Sequence, residues 1–194
     1  MSHRSKRAPR RPIIGANWEA QPPKLGRPFA NRPRKATRIY LTTRQRGKWL
    51  ALTEALADLG VARIDVADLA ISHLEQSLNE IQRGLTGTDQ VLPVGVTELR
   101  SLYFLLDLRP PSGDAKQYNI TMLTETREKM SVMTVRLQSV FHATWSQVFG
   151  LSIACLSQRL RDTRGRLNLS SELDSLEAMR EYVLQPQQLT LNMK

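Results

Sequence analysis

Arg38, Tyr40 and Thr42 stand at alternate positions of the segment Arg38-Ile39-Tyr40-Leu41-Thr42-Thr43. Asn119, Thr121 and Leu123 do the same in Tyr118-Asn119-Ile120-Thr121-Met122-Leu123-Thr124. Both segments are rich in β-branched and aromatic residues and read as short strands, in which residues two apart share a face. One face of the first strand then carries Ile39, Leu41 and Thr43, and one face of the second carries Ile120, Met122 and Thr124. These are assigned inward. The opposite faces carry side chains that suit the edges of nucleic-acid bases. A guanidinium matches two acceptors of guanine, a carboxamide matches adenine, and threonine or leucine can touch the methyl group of thymine. The six outward residues are candidate base contacts.

Other chemistry is sparse. The three histidines, His3, His73 and His142, and the single Cys155 fall in no metal-ligand spacing. His73 reads as a helix-surface residue and Cys155 as a small buried hydrophobe. No glycine-rich phosphate loop, nucleophile elbow or carboxylate pair is visible, so the chain is read as non-enzymatic, with no cofactor and no small-molecule substrate. No apolar run is long enough to span a bilayer, and no apolar stretch follows the basic N-terminus as a secretory signal requires.

Charge is unevenly placed. The chain of 194 residues has a net charge of +10. Residues 1–38 hold eleven lysines and arginines against one acid, Glu19, and the rest of the chain is balanced. Six of the ten prolines also fall there: Pro9, Pro12, Pro22, Pro23, Pro28 and Pro33. Proline denies this segment helix and sheet, and its low apolar content denies it a core, so residues 1–36 are expected to be a disordered basic arm. A basic tail on a neutral body points to a polyanion, above all nucleic acid. Arg32, Arg34 and Lys35, at the arm's end, are candidate phosphate contacts.

Each strand is followed by two amphipathic helices. Trp49, Leu52, Leu56 and Leu59 give a helix over about 44–59, which Gly60 ends. Val66, Leu69, Ala70, Leu74, Leu78 and Ile81 give a second, with Asp65 as its N-cap. After the second strand, helices are expected over about 125–141 and 146–162. The two halves align with an offset of 81 residues, becoming 82 after one insertion in the interhelical turn. Twelve identities result over residues 39–78, among them Arg46 with Arg127, Lys48 with Lys129 and Gln76 with Gln158. The predicted organisation is an arm (1–36), a first repeat (37–82), a spacer with a short helix near 97–108 (83–117), a second repeat (118–162), and a C-terminal helix and tail (163–194).

This order of strand, helix, turn and helix resembles the ribbon-helix-helix family, the Arc and MetJ type of repressor. The chain departs from it in a longer first turn and in lacking a glycine in the second. The resemblance implies a mainly α fold with a two-stranded antiparallel ribbon. Two copies intertwine, here as an intramolecular pseudodimer like the tandem fusions of TraY-like conjugation proteins. It implies a sequence-specific double-stranded DNA-binding protein, a transcriptional repressor that reads the major groove and works in the cytoplasm on the nucleoid, able to oligomerise on DNA. It further implies phosphate binding at the second helix of each repeat, by Arg63, Ile64, Asp65 and Val66 and by Ser146, Gln147 and Val148. Two alternatives stay open: an accessory factor of plasmid conjugation or partition, and an RNA- or ribosome-associated interaction protein.

Overall fold

A computed structural model describes residues 33–86, 98–161 and 176–185. The basic arm up to Arg32 lies outside these residues, as do 87–97 of the spacer, 162–175 and the tail from 186. The described chain runs β1 (Arg34–Thr42), α1 (Thr43–Ala57), α2 (Arg63–Thr86), α3 (Leu99–Leu105), β2 (Ala115–Leu123), α4 (Thr124–Phe141), α5 (Trp145–Arg159) and α6 (Leu176–Leu184). It is mainly helical, with β1 and β2 paired antiparallel as a two-stranded sheet.

Both strands are longer than the sequence predicts. β1 takes in Arg34, Lys35 and Ala36, which the sequence assigns to the arm, and β2 takes in Ala115, Lys116 and Gln117. The reason is pairing between distant segments. Nine residue pairs form, from Arg34 opposite Leu123 to Thr42 opposite Ala115, so polar residues of low β propensity acquire ladder partners. Beyond the last pair, the Thr124 backbone N–H donates to the Pro33 carbonyl (3.0 Å).

The inward residues Ile39, Leu41, Ile120 and Met122 are buried, as the alternation requires. Thr43 and Thr124 are instead the first residues of α1 and α4. Each helix begins directly at the end of its strand, so no extended backbone remains to hold these threonines to the strand's period. The strands lie across the later helices: β1 packs on α5, and β2 on α2. Beneath them Trp49 meets Phe149 with ring centroids 5.5 Å apart and planes tilted by 59°. Leu52, Leu56, Leu69, Leu74, Leu151 and Ile153 fill the layer around this pair. Burial of each such aliphatic side chain contributes about 1.5–3 kcal/mol.

The two interhelical turns solve one problem in two ways. In the first, Gly60 adopts φ +76°. Its N–H donates to Ala57 O (2.9 Å), and the Val61 N–H reaches back to Leu56 O (3.1 Å). This is the Schellman arrangement, with buried Val61 and Leu56 bracketing it. In the second turn a non-glycine, His142, takes the left-handed conformation at φ 51°.

His73 is a correction to the sequence reading. It is buried rather than on the helix surface, because α6 docks over α2 and the His73 Nδ1 lies 2.9 Å from the Val183 carbonyl. Burial pushes its pKa down to about 4, against a smaller opposing effect of that carbonyl. The neutral ring therefore donates from Nδ1. Arg180 of α6 also binds Asp68 Oδ2 of α2 (3.0 Å), while the Thr126 hydroxyl of α4 donates to Asp68 Oδ1 (2.9 Å). Cys155 is buried, and burial pushes its thiol up to about 12.

Candidate nucleic-acid interface

Alternation sorts the ribbon into a packed face and an open one. On the open face Arg34, Ala36, Arg38 and Tyr40 of β1 are exposed, as are Ala115, Gln117, Asn119 and Thr121 of β2. Opposing residues on this face are Ala36 and Thr121, Arg38 and Asn119, and Tyr40 and Gln117. Arg38, Asn119 and Thr121 are thus exposed together, and the Tyr40 hydroxyl donates to Gln117 Oε1 (3.0 Å). Neither strand contains an acidic residue; Arg34 and Arg38 bring two cations to this face, and Lys35 and Lys116 are exposed at positions of the opposite period. Gln117 is a site residue that the sequence reading missed. Carrying the alternation of Asn119, Thr121 and Leu123 two residues back would have found it.

Two predicted base contacts are not on this face. Thr42 is buried as the N-cap of α1: its Oγ accepts from the Gln45 N–H (3.3 Å), and its hydroxyl and N–H both turn to Gln45 Oε1. Leu123 is 1% exposed at the corresponding N-terminal boundary of α4. At both positions the chain turns from strand into helix without a loop, and that turn carries the last strand side chain into the core.

The helix N-termini differ from expectation as well. α2 begins at Arg63, so Asp65 is its third residue rather than its cap. The Asp65 carboxylate accepts from the Ala62 N–H, and burial pushes its pKa up, with Arg180 opposing. Its Oδ1 has no hydrogen-bond partner among the described residues. Val66 is fully buried and Ile64 half-buried. Arg63 alone of the four is exposed, its guanidinium 5.7 Å from the Trp49 ring centroid.

At α5 the cap is closed from within. Thr144 Oγ accepts from the Gln147 N–H (3.4 Å), and Gln147 Oε1 accepts from the Thr144 N–H (2.8 Å). The Val148 N–H is taken by Thr144 O, and its side chain is buried. Ser146 Oγ accepts from the Tyr40 backbone N–H (3.0 Å), which ties the start of α5 to the ribbon. Arg34 and Lys35 lie in β1 rather than on an arm, and Arg32 lies outside the described residues.

His73 and Cys155 are both buried in the helical core, away from this face. Among the described residues no group of three or more His, Cys, Asp or Glu is placed to hold a metal, and no helix is long and apolar enough to cross a membrane. What the open face can do is present hydrogen-bond donors, acceptors and positive charge along a ribbon. Comparison with family models, with curated proteins and with solved structures returns no match.

Proposed function

We propose that this chain is a sequence-specific duplex DNA-binding protein of the ribbon-helix-helix kind, a transcriptional regulator whose ribbon enters the major groove. The observation that carries this reading is the exposed, acid-free face of β1 and β2 centred on Arg38 and Asn119. A two-stranded ribbon fits the major groove of B-form DNA. Arg38 would take guanine, Asn119 adenine, and Thr121 a thymine methyl, with Tyr40 and Gln117 as a joined polar pair beside them. The basic arm and Arg63 would add contacts to phosphates, which hold register without reading sequence.

A tandem duplication folded as a pseudodimer is part of the same proposal. Under the offset of 81, Arg38 corresponds to Asn119, and these two residues are partners in the ladder. A twofold axis through that pair exchanges the halves. The packing of β1 on α5 then matches that of β2 on α2, and α1 with α5 matches α2 with α4. Individual contacts correspond too. Gln45 against Gly150 is the counterpart of Thr126 against Asp68. Ala62 with Asp65 is the counterpart of the Thr144–Gln147 capping box. Because the outward residues differ between strands, the preferred site is asymmetric.

The test is a titration of the full chain with duplex DNA and duplex RNA of one sequence. DNA should bind more tightly, since the narrow major groove of A-form RNA does not admit a ribbon. Equal or tighter binding of RNA would favour an RNA-associated protein instead.

A further inference from the structure

At one place where the halves differ, the difference leaves unbalanced charge. In the second half, Lys129 Nζ lies 3.8 Å from Asp68 Oδ1 and donates to Ser72 Oγ (3.2 Å). Its counterpart in the first half is Lys48. The residues that correspond to Asp68 and Ser72 are Gly150 and Ala154, so neither acceptor is present. Glu125, in the first turn of α4, corresponds to Arg44. Two acids are thus exchanged for a glycine and an arginine around one lysine.

What surrounds Lys48 adds to the excess. A solvent-open cleft is lined by Arg44, Lys48, Arg109 and Tyr103. Arg161, just past α5, and Arg44 both act on the half-buried Lys48 ammonium, whose pKa is lowered first by burial and then by these two cations. No acidic side chain forms a salt bridge with any of the four among the described residues. Tyr103 is 2% exposed, and its hydroxyl finds no hydrogen-bond partner there although the Gln45 amide is close. A buried hydroxyl without a partner costs free energy, as does positive charge gathered around a half-buried ammonium, and an oxyanion would relieve both.

We propose that this cleft between α1, the α3–β2 connection and the end of α5 binds a phosphate-type oxyanion through Arg44, Lys48, Arg109 and Arg161, with the Tyr103 hydroxyl as a further donor. A carboxylate is the poorer match. It carries one charge and two oxygens, whereas three guanidinium forks, an ammonium and a phenol can serve the several oxygens of a dianion. The phosphate can come from a small molecule such as a nucleotide, or from the backbone of bound DNA. The comparison of the two halves rests on the proposed duplication, but the cation cluster stands without it.

The experiment is calorimetric titration of the full chain with inorganic pyrophosphate at fixed ionic strength, for the wild type, Lys48→Ala/Arg109→Ala, Tyr103→Phe and Lys129→Ala. Melting in phosphate-free buffer checks that each variant folds. The expected result is saturable binding to the wild type and to Lys129→Ala, weakened at least tenfold in Lys48→Ala/Arg109→Ala and severalfold in Tyr103→Phe. The absence of saturable binding, or equal affinity in wild type and Lys48→Ala/Arg109→Ala, would overturn the proposal; equal affinity would assign the anion to the basic arm. Duplex DNA titrated into the same double variant identifies the source. A parallel tenfold loss means a backbone phosphate, and unchanged DNA binding means a free ligand. Pyrophosphate binding that persists in a chain with no preference for DNA would refute the proposed function and leave this site standing.

Discussion

Arg38 and Asn119 lie directly opposite each other at the middle of the ribbon, with four residue pairs on either side. Both side chains are exposed, and no acid stands on either strand to neutralise the arginine. Any groove that takes the ribbon symmetrically meets this pair at its centre.

Replacing Arg38 with alanine should therefore remove preference rather than binding. The affinity for a preferred duplex is expected to fall by about 1–3 kcal/mol, the value of one good bidentate base contact. Affinity for unrelated duplexes should change little, since under the proposed function the phosphate contacts come from the arm. Competition binding with matched and scrambled duplexes reads the ratio. A uniform loss on both would make Arg38 a phosphate contact.

Gly150 makes room for Gln45, whose amide a Cβ at residue 150 would strike. That amide is held in the capping box of α1 and is 8% exposed, so it cannot move without giving up the cap. Gly150→Ala should destabilise the wild type by about 1–2 kcal/mol, the value of a lost cap. In a Gln45→Ala background the same change should stabilise by up to about 1 kcal/mol, since alanine is the better helix former. Urea unfolding of the four proteins in this cycle tests the reversal of sign.

The left-handed positions give a paired prediction. Gly60 has φ +76° and open space where a Cβ would stand, so Gly60→Ala should cost about 1 kcal/mol through backbone strain alone. His142 already bears that strain at φ 51°, and His142→Gly should recover a similar amount of about 1 kcal/mol. Thermal melts of both variants, moving in opposite directions, check it.

His73 sets an acid limit. Its folded pKa of about 4 lies below the ordinary 6.5 because the ring is buried. Above about pH 6.5 both states are neutral; below it the unfolded chain takes a proton that the folded chain refuses until about pH 4. Stability is then lost as pH falls through this window, by ~3 kcal/mol in all. Asp65, whose folded pKa is raised by burial, acts in the opposite direction, so the comparison must be with His73→Gln. That variant should lose the His73 part of the slope while its amide can still donate to Val183 O.

Several of these features are legible in the sequence. The inward Ile39, Leu41, Ile120 and Met122, the glycine at residue 60 and the order of strands and helices follow from period and turn chemistry. What a local reading misses depends on partners far along the chain. Arg34 to Ala36 look like a basic arm until β2 supplies their ladder. Thr42 and Leu123 obey the outward period, but abrupt helix starts draw them inward. His73 sits beside an apolar stripe with nothing in its neighbourhood to announce that α6, more than a hundred residues later, covers it. The cleft at Lys48 joins Arg44 and Lys48 to Tyr103 and Arg109, more than fifty residues further along the chain, and no local reading brings these together.

The most direct measurement is selection of bound sequences from a random duplex DNA pool at near-physiological salt, run in parallel on the wild type and on Arg38→Ala/Asn119→Ala. A ribbon that reads DNA predicts an enriched asymmetric motif with the wild type and its loss, with retained binding, in the variant. Tight binding with no enrichment in the wild type, or the same motif enriched by both proteins, would contradict base reading by β1 and β2.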